Sequence, residues 1–165
     1  MTFEEFVSSI GDVIGFEGMA PQQEENGVSC YYLELPDDLV ITFMDVPEHG
    51  MMLTTCAVGS LPVENREQFM LAMLAANSRF KGASGGILAI DSEREEVVVS
   101  RYDYLENLVA DDTEQFLESF IADVVNWHER LDKFYDFTED DACATLVADE
   151  PQGLGLNGLN GGIMI

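Results

Sequence analysis

The sequence predicts an α+β domain: an antiparallel sheet of about five strands with three helices, in the order α-β-β-β-α-β-β-α. Three observations carry this. Apolar residues recur at helical spacing in three separate segments, runs rich in β-branched and aromatic residues lie between them, and the connections between neighbouring runs are too short for a crossover helix. Short connections force antiparallel neighbours, and helices set apart from a meander give a layered α+β arrangement.

The first helix opens on Thr2, three residues before Glu5 in a capping-box arrangement, and carries Phe3, Phe6, Val7, Ile10, Val13 and Ile14 on one stripe. Gly15 is placed to end it. A polar, turn-rich stretch runs through Asn26-Gly27, and three strand-like runs follow at about 28–35, 39–46 and 51–59. Pro36-Asp37-Asp38 and Pro47-Glu48-His49-Gly50 separate them, which predicts a three-stranded meander. Pro62 precedes a second helix at about 66–79, where Phe69, Met70, Met73 and Leu74 form one face and Ala72, Ala75 and Ala76 widen it. The glycine cluster at 82–86 leads into a hairpin: Ile87 to Asp91, the charged turn Ser92-Glu93-Arg94-Glu95, then Val97 to Asp103. Asp112, three residues before Gln115, opens the longest helix, with Phe116, Leu117, Phe120, Ile121, Val124, Val125, Trp127, Leu131 and Phe134 at helical spacing. From about Thr138 the chain turns acidic and then rich in glycine and asparagine. Residues 1–137 are therefore expected to form the domain and 138–165 a flexible tail.

Charge narrows the function. Lys and Arg number 7 against 32 Asp and Glu, a formal net charge of −25, which repels nucleic acid and anionic membrane surfaces. The same charge keeps a protein soluble while it displays apolar surface to a partner. Cys30, Cys56 and Cys143 are odd in number and scattered, so a disulfide framework or zinc ribbon is not expected and a reducing cytoplasm is. No basic start with an apolar run marks a signal peptide, and no stretch is long and apolar enough for membrane insertion.

Two glycine-rich strings imitate catalytic motifs. Gly82-Ala83-Ser84-Gly85-Gly86 has the letters of a nucleophile elbow, but the order here is helix, loop, strand, whereas the elbow needs a strand before and a helix after. Gly153 to Gly158 spells a dinucleotide fingerprint, yet the seven residues after it leave no room for the helix that receives the pyrophosphate. His49 and His128 stand apart, and the acidic runs lack the spacing of a calcium loop. No catalytic residue, metal ligand or cofactor is expected; Cys30, Cys56, Trp127 and His128 read as packing residues.

Leu61-Pro62, the run Phe69-Met70-Leu71-Ala72-Met73-Leu74-Ala75-Ala76-Asn77, and Gly86-Ile87-Leu88-Ala89-Ile90-Asp91, in this order in an acidic chain, resemble the Tir chaperone (CesT-like) family, the class I chaperones of type III secretion. The resemblance covers about residues 1–135. It implies a cytoplasmic homodimer that binds a secreted effector protein and keeps it export-competent. It also implies a dimer interface on the second helix, with Phe69, Met70, Met73, Leu74 and Asn77 as candidates, and effector contacts on the first helix and sheet, with Phe3, Val7, Ile10, Tyr32, Leu33 and Phe43 as candidates. Alternation along Tyr31-Tyr32-Leu33-Glu34 sends one set toward the helices and the other outward without fixing which. A regulatory or protein-binding domain of the same architecture outside secretion, YbjN-like, is the alternative.

Overall fold

The computed structural model describes residues 1–136 except 16–20, 25–26, 79–82 and 84. Ser84, Cys143, the second glycine string and the tail expected at 138–165 lie outside the described residues.

Helix α1 (Phe3–Ile14) starts as its sequence dictates. The Thr2 hydroxyl accepts from the Glu5 amide at 3.2 Å while the Glu5 carboxylate accepts from the Thr2 amide at 2.7 Å, and Gly15 closes the helix in the left-handed region. The sheet contains β1 (Gln22–Gln23), β2 (Ser29–Glu34), β3 (Val40–Val46), β4 (Met51–Ser60), β5 (Ile87–Asp91) and β6 (Glu96–Tyr104), in the spatial order β1-β2-β3-β4-β6-β5, all antiparallel. Six strands stand where about five were expected. The added one, β1, is two glutamines without apolar alternation, held by the turn in which Glu24 and Val28 pair through their backbones at 2.8 Å.

Helices α2 (Arg66–Asn77) and α3 (Thr113–Asp136) complete the fold, with short 3-10 turns at Leu105–Asn107 and Ala110–Asp112 leading into α3. All three helices contribute to a core built on one face of the sheet. Phe6 meets Phe43 of β3 at 5.9 Å between centroids and Phe116 of α3 at 5.3 Å, and Phe69 of α2 meets Phe134 of α3 at 5.0 Å. Alternation along β4 is strict: Met52, Thr54, Cys56 and Val58 are buried while Met51, Leu53, Thr55 and Ala57 are only half-buried.

One irregularity seats α3. A bulge between Ala57 and Gly59 breaks the register of β4 with β6, and there His128 approaches the Val58 carbonyl at 2.7 Å through Nδ1, which must therefore carry the proton. Gly59 has φ of 147°, and a Cβ on it would stand 2.6 Å from Leu131 Cδ2. Only glycine admits both the backbone and the close approach.

Candidate protein-binding surface

Pairing register assigns the faces that alternation left open. Tyr31 pairs with Phe43 and Leu33 with Ile41, so Tyr31 and Leu33 point to the helices, and Tyr31 stacks on Phe43 at 6.1 Å. Tyr32 therefore points outward. Phe3, Val7, Ile10 and Phe43 are buried in the helix–sheet core, so these four side chains hold the fold and offer no surface to a partner. The reason is that α1 has one apolar stripe and the sheet consumes it. Of the six effector candidates, Tyr32 alone is exposed and Leu33 is half-buried against the core.

Among the described residues no helix packs on the opposite face of the sheet. Its rows run Val40, Ala57, Val98 and Ala89; Thr42, Thr55, Ser100 and Ile87; then Met44, Leu53 and Tyr102. A groove of ≈ 660 Å³ crosses the first two rows, with Val40, Thr42, Thr55, Ala57 and Val98 among its lining residues and Asp38, Asp91, Glu96 and Arg94 around them. Tyr32 lines it as well, its hydroxyl donating to Glu24 at 2.5 Å. That hydrogen bond, followed by partial burial, pushes the phenol up to about 12, so Tyr32 stays a neutral donor at physiological pH. Beneath it, burial and then the nearby Glu24 carboxylate push the Cys30 thiol up.

The groove has apolar and hydroxyl-bearing walls and an acidic surround, with no nucleophile–base pair. Among the described residues no three His, Cys, Asp or Glu side chains gather as a metal site, and no helix is long and apolar enough to cross a membrane. Such a surface can hold a polypeptide by apolar contact and backbone hydrogen bonds.

The five dimer candidates divide as well. Phe69 and Met73 are buried against the protein's own core, whereas Met70 and Leu74 are exposed on the outer side of α2 beside Leu71. Asn77 does something else. Its amide nitrogen donates to the Leu88 carbonyl at 2.9 Å and its oxygen accepts from the Leu88 amide at 2.8 Å, so one side chain imitates a paired residue on the free edge of β5. Tyr102, Tyr104, Ile87 and Val40 are exposed residues of the open face that the sequence reading did not select. A signal existed: Tyr102 and Tyr104 alternate out of phase with the apolar Val97 and Val99.

A profile of the Tir chaperone protein (CesT) family matches residues 6–128. The chain belongs to this family. A search of curated proteins finds no match. Among solved structures, a chain of the ExsC–ExsE complex superposes with a TM-score of 0.61 at 14% identity, covering 78% of this chain and 96% of that one. The HopA1–SchA chaperone–effector complex gives 0.56 at 9% identity, covering 77% and 90%. The ExoU–SpcU complex from the type III secretion system of Pseudomonas aeruginosa gives 0.53 at 15% identity, covering 79% and 94%. At these identities the likeness establishes the fold, which is that of a CesT-family chaperone: three helices on one face of an antiparallel sheet.

Proposed function

We propose that this protein is a cytoplasmic, non-enzymatic chaperone that binds an effector of a type III secretion system and keeps part of it extended for export. The observation that carries the reading is the sheet face that no described helix covers, where Tyr32 and Val40 line the groove and Ile87 and Tyr102 lie exposed on the same face in a chain of net charge −25. Contiguous exposed apolar surface on a soluble domain marks a binding site, and the surrounding charge keeps the unliganded protein dispersed. Membership of the CesT family and a fold shared with chains of a chaperone–effector complex and of a type III secretion complex support the same reading.

Two copies associate through the outer side of α2, where Met70, Leu71 and Leu74 form an apolar strip that the protein's own core leaves uncovered. Leu71 and Leu74 are each 65% exposed. Pairing two such strips removes them from water.

The deciding experiment is a pull-down from the native cell, read by mass spectrometry, with the unmodified protein and a Thr55→Glu variant that puts a carboxylate into the groove. Recovery of one secreted protein by the former and its loss with the latter supports the proposal. Equal recovery by both refutes the assigned face, and the absence of any secreted protein refutes the function. Leu74→Asp is expected to shift the molecular mass in light scattering from dimer to monomer; a folded monomer for the unmodified protein at roughly tens of micromolar contradicts the dimer.

A further inference from the structure

We propose that the uncharged segment Gly153–Leu159 of this same chain lies in the groove of the open sheet face while no client is bound, and that the client displaces it. The inference rests on the chaperone reading and adds a control to its site.

The course of the chain brings the segment to the groove. α3 crosses the sheet from Phe116, which lies against Arg101, to Leu131 against Gly59, and Gly59 stands in one row with Val97 and Ile90. Asp136, where α3 ends, is five residues further on. The groove lies at that same end on the opposite face, since Asp91 and Glu96, the next pair along β5 and β6, are among its lining residues. Sixteen residues, 137–152, separate Asp136 from Gly153 and span up to about 50 Å when extended. The way round the end of the sheet is one layer down, about 10 Å, and about as far again across the other face. Linker length is therefore no obstacle.

Composition singles out this segment. Between Glu139 and Glu150 the chain carries five acidic residues and no Lys or Arg, whereas from Pro151 to Ile165 it carries no charged side chain. The groove is lined by Asp38, Asp91 and Glu96 with Arg94 beside them, so it rejects the acidic stretch and accepts the neutral one. Its floor is low, because Ala57 and Ala89 stand where bulkier residues would fill it. In an extended segment Leu154 and Leu156 project to one side about 6.7 Å apart, with Gly155 between them, and that is the separation of two successive floor rows, those of Ala57 and Thr55 on β4. Two leucines thus fill two rows, while the glycines let the main chain lie close to the sheet.

Tethering sets the strength the contact requires. A segment on a linker of this length is present at an effective concentration on the order of 1 mM, so an intrinsic Kd of about 0.1 mM fills the groove about nine-tenths of the time and weakens client binding about tenfold. The acidic stretch ahead of the segment is repelled by the rim and by a chain of net charge −25, which keeps the contact weak enough to give way. A client with basic residues beside its apolar ones meets the opposite field and displaces the segment. In the free protein the apolar rows are shielded from chance association.

The test uses the full chain carrying a nitroxide attached through Asn157→Cys, with Cys143→Ser removing a native thiol; Cys30 and Cys56 are buried and escape the reagent under native conditions. NMR should show the amides of Ala57, Ala89 and Val98 broadened, and adding Leu154→Asp and Leu156→Asp to the labelled chain should restore them. No broadening, or broadening that survives the leucine substitutions, overturns the proposal. In a mixture where only label-free chains are isotope-enriched, broadening at the same amides means that a second copy supplies the segment, which overturns its assignment to the same chain. Without the label, the double leucine variant should bind the secreted protein recovered in the pull-down about tenfold more tightly than the unmodified chain; equal affinity overturns the displacement. The nitroxide measurement needs no client, so the two readings part. Broadening with no secreted protein recovered supports the segment in the groove and removes the chaperone reading, whereas a client recovered without broadening overturns the covered groove and leaves the chaperone.

Discussion

Replacing Asn77 with alanine deletes two hydrogen bonds at one residue of an edge strand, those at 2.9 and 2.8 Å to the Leu88 carbonyl and amide. A neutral hydrogen bond is worth about 0.5–1.5 kcal/mol net, giving roughly 1–3 kcal/mol for the pair. Asn77 is half-buried and water can reach the vacated edge, so the expected loss is in the lower half, about 1–2 kcal/mol. Urea titration should show a lowered midpoint with an unchanged slope, and the Leu88 amide should exchange faster. Asn77→Asp sharpens the test. It keeps the acceptor for the Leu88 amide but sets a carboxylate against the Leu88 carbonyl, so at neutral pH it should cost more than alanine. That excess should shrink as pH falls through the carboxylate range, because the protonated acid donates again. An alanine variant within about 0.3 kcal/mol of the unmodified protein, with Leu88 exchange unchanged, would refute the strand-guard role and return Asn77 to the dimer candidates.

Gly59→Ala forces a side chain onto φ of 147° and against Leu131 Cδ2 at 2.6 Å, so a loss of about 2–4 kcal/mol is expected in thermal or urea unfolding. Burial and then the charge of Glu4 raise Asp45 above its ordinary 3.8, so the native state binds that proton more tightly than the unfolded chain. The penalty is present in full above the raised value and gone below about 3.8; Asp45→Asn should therefore raise Tm at pH 7, with the gain fading toward pH 3. Burial pushes the Cys56 thiol up to about 11 and also raises Cys30, so alkylation at pH 8 should label both only after denaturation, as peptide mass spectrometry would show.

What the sequence disclosed follows the range of the interactions involved. The cap of α1, the alternation of β4 and the apolar stripe of α3 are local patterns, legible in the order of residues and found where expected. β1 carries no such pattern, because Gln22 and Gln23 are ordered by the hairpin that returns from them. Which face of β2 meets the helices depends on Phe43, twelve residues beyond Tyr31, and on α1. The wide apolar surface of α2 was visible, but its division into inward Phe69 and Met73 and outward Met70 and Leu74 is set by Phe134 at the far end of the chain's longest helix. Asn77 stands out in the sequence by its place at the end of that run, whereas its bonds are to Leu88, eleven residues on.

The joint between α3 and the bulge of β4 has a mechanical side. At 24 residues α3 is about 36 Å long, and it is pinned by His128 and Leu131 where the sheet offers a carbonyl and a missing side chain. Its first turns carry Gln115, Phe116 and Ser119 on a cavity of ≈ 550 Å³ beside β6, and its last carries Phe134 against Phe69 of α2. The joint at the bulge thus sets both ends of α3 at once, because the packing beside β6 and the packing on α2 share one helix and one point of attachment to the sheet.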